Sequence, residues 1–158
     1  MANENNEGTV PFQIMAQYVK DLSFENPTPL NRPTEETDEQ PQITVDIQVG
    51  VNPIQNKLFE VTLDLTIDAK NEDDQMFLLE LSYAGVVALE GIPEEMEDPI
   101  LMVHTPTLLF PFVRNIASDV IRDGGFPPFM LAPVNFAYMY QQQLAENNEG
   151  AEDSVTKH

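Results

Sequence analysis

The chain has 158 residues and carries 27 acidic side chains against seven basic ones, a formal charge of -20. That balance excludes nucleic acid as a partner, because a phosphate backbone requires Lys and Arg to displace its counterions, and it disfavours an anionic membrane surface. The absence of cysteine excludes disulfides and thiolate metal sites, while 42% hydrophobic residues are enough for one packed domain.

The start, MANENNEGTV, has neither the basic region nor the apolar core of a secretion signal. Residues 1–10 are expected to be a disordered N-terminus, residues 11–146 a single domain, and the protein cytoplasmic. No run approaches the ~18 apolar residues of a membrane span. The first element, FQIMAQYVKDLSF, alternates as a strand. Strict alternation puts Phe12, Ile14, Tyr18, Leu22 and Phe24 on one face, and Met15, Val19, Asp21 and Glu25 with Gln13, Gln17 and Ser23 on the other. Residues 26–41, NPTPLNRPTEETDEQP, hold four prolines and four acids. A link of this length between strands is unusual, and it implies a crossover that sets the first two strands apart.

The clearest alternation follows. In QITVDIQV, Ile43, Val45, Ile47 and Val49 share one face; in LFEVTLDLTID, Phe59, Val61, Leu63, Leu65 and Ile67 face inward. AKNEDDQ reads as a long hairpin loop. The fourth strand, MFLLELSYAGVVAL, gathers Phe77, Leu79, Leu81, Tyr83, Val87 and Leu89 on one face, yet its other face also offers Met76, Leu78 and Val86. A strand apolar on both faces is covered on both, or covered on one and adhesive on the other.

Thr105-Pro106 has the form of a helix start, an N-cap with proline at the first helical position. Beyond it Leu108, Leu109, Phe112, Val113, Ile116, Val120 and Ile121 recur at helical spacing, Pro111 threatens a kink, and Gly124 closes the helix. A loop unusually rich in apolar side chains, GGFPPFMLAPVNF, comes next. Any one of Phe126, Phe129 and Leu131 can tuck under its own loop. All of them together with the adhesive strand faces point to assembly or apolar binding. A second helix starts near Asn135, with Phe136, Met139, Tyr140 and Leu144 on one stripe. Residues 147–158 are expected to form a flexible acidic tail. The fold class is therefore α+β: a four-stranded antiparallel sheet with a long crossover after strand 1 and two C-terminal helices on one face.

Charge is unevenly placed. Residues 1–100 hold 21 acids and four bases, whereas residues 101–140 hold two of each. Nothing proposes a reaction. His104 has no Cys or His companion, the carboxylate runs EDD and EEMED lack calcium-loop spacing, and the glycines form no phosphate cradle. Ser82 and Ser118 lack a nucleophile-elbow context. No enzyme activity, cofactor or metal is expected.

Three segments, VKDLSFENP, FLLELSYAG and LLFPFVRNIASDVIRDGGFPPFMLAPVNF, together with the glutamine-rich start of the tail, resemble the SecB family over roughly residues 12–145. The resemblance implies a homotetrameric chaperone, a dimer of dimers, that holds unfolded precursor proteins in the cytoplasm and delivers them to the SecA motor without ATP or metal. It implies SecA contact through Asp21, Glu25, Leu78 and Glu80. It implies client binding in a groove with Ile43, Val45 and Ile47 from a strand and Phe136, Tyr140 and Leu144 from the last helix. Leu79, Leu81 and Tyr83 match positions at the subunit interface. A SecB-like chaperone dedicated to one client, of the toxin–antitoxin type, and a non-chaperone binder of the same fold remain open alternatives.

Overall fold

The computed structural model describes residues 12–27, 41–72 and 74–155, with side chains through residue 150. The N-terminal ten residues and most of the crossover lie outside the described residues. Four strands, β1 (Gln13–Glu25), β2 (Gln42–Gln55), β3 (Leu58–Asn71) and β4 (Asp74–Ala88), precede the helices α1 (Glu94–Pro99), α2 (Thr105–Asp123) and α3 (Phe136–Val155). The sheet is antiparallel throughout, in the order β1-β4-β3-β2. The first two strands are thus the two edges. The strand ends that the crossover joins lie three strand spacings, roughly 14 Å, apart.

Alternation in β3 and β4 builds the core. Val61, Leu63, Leu65 and Ile67 of β3, with Leu79, Leu81 and Val87 of β4, are buried beneath Leu109, Val113, Ala117 and Ile121 of α2. This is the helix side of the sheet; the opposite side faces outward. The β3–β4 connection is tighter than the sequence suggests. The ladder continues to the pair Asn71–Asp74, leaving only residues 72 and 73 between the strands, with Glu72 at φ 52°. Polar residues at strand ends pair through their backbones as well as apolar ones do, so side-chain pattern underestimates strand length.

β1 departs from strict alternation. Its pairing with β4 skips Met15 and Lys20, a bulge at each. One bulge exchanges the faces of all that follows and the second restores them. Gln17 and Val19, expected outward, therefore lie on the helix side, and Tyr18, expected inward, lies on the outer face. Asp21, Leu22, Ser23, Phe24 and Glu25 keep their expected faces.

The helix start expected at Thr105-Pro106 is mid-helix. Helical structure begins at Glu94 behind Pro93, passes through a π-helical segment at Ile100–His104, and continues into α2. The run EEMED, which lacks calcium-loop spacing, opens this helix, where Glu94, Glu95 and Glu97 in the first turn complement the helix dipole. Proline at 106 removes a backbone donor from the ladder. The wider π turn before it accommodates that loss, and burial of Ile100, Leu101 and Thr105 holds the segment helical. By length and composition the run 94–123 is apolar enough to cross a bilayer, yet its apolar stripe is the one packed on the sheet.

α2 ends as expected at Gly124. Gly125, at φ 88°, takes the left-handed conformation of a Schellman motif, with Gly125 N–H donating to Arg122 and Phe126 N–H to Ile121. Gly124 also allows β1 to approach. A Cβ there would meet the Phe24 ring at 2.4 Å, and the Asn26 side-chain amide donates to the Gly124 carbonyl at 3.0 Å. α3 is capped by Asn135, whose Oδ1 accepts from Tyr138 N–H at 3.0 Å. It runs to Val155, so residues expected as tail are helical to that point.

Candidate functional site

The outer face of the sheet carries the acidic candidates side by side. Glu25 lies directly opposite Leu78, Ser23 opposite Glu80, and Asp21 opposite Ser82. Glu80 is thus diagonal to both Asp21 and Glu25. The next strands extend the patch, with Asp64 opposite Ser82 and Asp68 opposite Leu78 on β3, and Asp46 opposite Thr66 from β2. Among the described residues, Asp68 alone of these has an ion-pair partner, Lys70 at 3.6 Å. The result is a flat, negatively charged surface with Leu78 half-buried within it.

A different arrangement occupies the opposite end of the same face. The Lys20 ammonium donates to Glu60 at 2.6 Å, and the Tyr18 hydroxyl donates to the other carboxylate oxygen. The Lys20 bond, then the Tyr18 bond, hold the Glu60 carboxyl below the usual carboxylate range, while the bond to Glu60 pushes the Tyr18 hydroxyl up. Both donors reach Glu60 only because the two bulges turn them outward.

The helix side of β2 carries the apolar candidates. β2 is an edge strand that α2 does not reach across, so Ile43 and Val45 remain exposed and Ile47 half-buried. Two cavities lie along this strand. The larger, about 490 Å³, opens between β2 and α3; Ile47 and Val49 line one wall, Phe136, Met139 and Tyr140 the other, with Met102 alongside. Gln142, Gln143 and Glu146 form its polar rim. The smaller, about 170 Å³, is lined by Pro41 and Ile43, by Met76 and Phe77 of β4, and by Phe126, Pro127, Pro128 and Phe129. Val45 lies between them. Ile43, Val45, Ile47, Phe136 and Tyr140 are therefore gathered along one track. Leu144, 45% exposed on α3, lies beyond the lining of either cavity.

The apolar loop after Gly124 resolves residue by residue. Phe126 packs edge-on against Phe24 and tilted against Phe77, and Leu131 and Phe136 are buried, while Met130 is 68% exposed. Most of its apolar surface is thus core, shaping the wall of the smaller cavity. Leu79 and Leu81 are fully buried within the chain beneath α2, so they present no surface to another subunit, and Tyr83 is nearly so. The family resemblance made them interface candidates; the helix packing spends their face on the intrachain core. At the β1 end of that side, apolar surface stays open at Val19 and Leu22 of β1 and Leu108 and Phe112 of α2, where Phe112 stacks on Tyr83 at 6.1 Å. The Tyr83 hydroxyl donates to Gln17 at 3.1 Å, and burial raises its pKa. Alternation alone could have added Val49 to the groove. Met102 and Pro41 needed the π-helical register and the packing of the crossover end.

An acidic sheet face suited to basic polypeptide and an apolar track suited to extended apolar segments thus lie on opposite sides of one α+β frame. The family profile described as Preprotein translocase subunit SecB matches residues 4–147. The Protein-export protein SecB of Mesorhizobium japonicum is 43% identical over 157 residues, covering 98% of this chain and 93% of its own. That of Bartonella quintana is 38% identical over 148 residues, covering 94% of this chain and 93% of its own. A solved SecB-like chaperone of Mycobacterium tuberculosis, in complex with a ChAD peptide from the HigA1 antitoxin, shares the fold. Its TM-score is 0.59 at 14% identity, covering 78% of this chain and 91% of that one. The chain belongs to the SecB family of protein-export chaperones.

Proposed function

We propose that the chain holds unfolded precursor proteins in extended form along the β2–α3 track and passes them to the SecA motor through the acidic outer face. The observation that carries this reading is the separation of the two surfaces on opposite sides of one sheet. A client on the helix side leaves Asp21, Glu25, Leu78 and Glu80 open to a basic segment of a second partner, attracted more by steering than by deep burial. Each apolar side chain that a client buries contributes roughly 1.5–3 kcal/mol, and several such contacts on one chain add through avidity. Binding of this kind opposes folding by mass action and uses no covalent chemistry.

The working unit is a cytoplasmic homotetramer, a dimer of dimers. The exposed residues Val19, Leu22, Leu108 and Phe112 support it, since an apolar patch on so acidic a chain gains from cover by another copy. Residues 11–146 form the chaperone domain, whose last helix runs on to Val155.

The test is refolding of several unrelated precursors with and without the purified protein, alongside native mass spectrometry. Slowed refolding of all of them and a mass near four times 17.8 kDa are expected. Action on a single client supports a dedicated chaperone instead, and a monomer overturns the assembly.

A further inference from the structure

The chain has no cysteine and no tryptophan, so the methionine thioethers are its most readily oxidised groups. Beyond Met1 there are six of them, and they fall into two sets. Met76 lines the smaller cavity, while Met102 and Met139 line the larger, each half-buried at the wall. Met15, Met96 and Met130 are exposed and line neither cavity. The lining set comes from three separate elements: Met76 from β4, Met102 from the π-helical segment and Met139 from α3. No one element's periodicity gathers them. An unbranched thioether adapts to irregular neighbours, which suits a wall that meets many sequences. Leucine would supply similar apolar area without the sulfur. What sulfur adds is a second, polar state.

We propose that Met76, Met102 and Met139 are oxidative modification sites, and that conversion of their sulfurs to sulfoxides by peroxide releases the client. This rests on the client-holding reading above and supplies the regulation of that same site. In the step itself a sulfur lone pair attacks one oxygen of hydrogen peroxide as the O–O bond breaks. Sulfur gives up two electrons and keeps that oxygen; the other leaves as water. Reversal takes two electrons from a dithiol, which becomes a disulfide, and the sulfoxide oxygen leaves as water. Peroxide is little larger than water, and cavities of about 490 and 170 Å³ admit it. The sulfoxide oxygen is a strong acceptor. The smaller cavity is walled by Pro, Ile, Met and Phe side chains, none of which can donate to it. In the larger one Met102 and Met139 share the walls with Ile47, Val49 and Phe136. A client side chain that enters would seal the oxygen from water without a partner, so binding weakens. A bound client in turn covers the same sulfurs. By linkage, oxidation and client occupancy oppose each other.

The test uses the full chain and, as client, a reduced and carbamidomethylated polypeptide that stays unfolded. The chain is treated with graded hydrogen peroxide, the peroxide is removed, and each sulfoxide is counted by peptide mass spectrometry beside client affinity. Affinity should hold while only Met15, Met96 and Met130 are oxidised, and fall roughly tenfold or more as Met76, Met102 and Met139 follow. A methionine sulfoxide reductase with dithiothreitol should restore it. Hydrogen exchange in residues 61–67 should stay as in the untreated chain; a loss of affinity that tracks faster exchange there is general unfolding and overturns the switch. With Met15→Leu, Met96→Leu and Met130→Leu combined, the loss should remain as in the parent. With Met76→Leu, Met102→Leu and Met139→Leu combined, affinities before and after peroxide should agree within about twofold, whatever the starting value. If that variant does not bind, the dose series on the parent decides alone. Full affinity in a parent carrying the three sulfoxides, or an equal loss in the variant lacking those methionines, overturns the proposal and leaves client holding in place. Bound client should also slow oxidation of Met76, Met102 and Met139 alone; equal rates place the client elsewhere and overturn it too. An untreated parent that binds no client removes the client-holding reading, and the switch with it.

Discussion

Phe136→Ala tests how α3 is attached. Phe136 is 2% exposed, forms an edge-to-face pair with Phe110 at 6.0 Å, and lines the larger cavity. It is the one fully buried side chain of α3 within residues 136–150; Met139 and Tyr140 are half-buried, and everything from Gln141 to Gly150 is exposed. Truncating a buried Phe costs about 3–5 kcal/mol when the whole fold must absorb the cavity. Here the helix can leave instead. A free 20-residue helix is marginal in water, so the loss is limited to the docking free energy of α3 and does not reach the sheet. Hydrogen exchange followed by mass spectrometry should show faster exchange across residues 136–150, by roughly 100-fold or more if about 3 kcal/mol of docking is lost. Residues 61–67 and 77–87 should exchange as in the parent. Client affinity should fall together with α3 protection. Unchanged protection in α3, or equal loss throughout the sheet, refutes the view that one aromatic anchor holds the groove wall.

The remaining predictions concern the two faces and the α2 cap. Glu80→Lys or Asp21→Lys should weaken SecA binding by about tenfold at low salt, with client holding intact, because the charge reverses at the centre of the acidic patch; unchanged SecA affinity by titration removes that assignment. Gly124→Ala should lower thermal stability by about 1–3 kcal/mol, since the added methyl must displace the Phe24 ring; an unaltered melting temperature contradicts it. The Glu60 carboxyl has its pKa lowered in the folded state, so its contribution is present above the unfolded carboxylate value and is lost as pH falls through the folded one. Glu60→Gln should therefore cost about 0.5–1 kcal/mol near neutral pH and flatten the acid side of the stability profile, read by urea unfolding at several pH values.

Much of the sheet could be read directly from the chain. Ile43 through Val49 and Phe59 through Ile67 alternate because the helix side of each strand is apolar and the outer side polar, and that periodicity survives any detail of packing. Asp21, Glu25, Leu78 and Glu80 lie on the sheet face that alternation predicts, since the two bulges in β1 cancel before Asp21. Tyr18 and Val19 were misplaced because a bulge is a property of strand pairing and leaves no mark in alternation.

The amino-acid sequence by itself determined the class of fold, the polarity of the two sheet faces, the Gly124 cap and the family resemblance. The first three follow from local preference and period, and the last from the quoted motifs. Tertiary structure alone decided which apolar residues are spent and which remain. Leu79, Leu81, Phe126 and Leu131 are consumed by contact with α2 and the sheet, whereas Ile43 and Val45 stay open because strand order puts β2 at an edge beyond the reach of α2. Hydrophobicity is a property of a side chain, but burial depends on what lies opposite it.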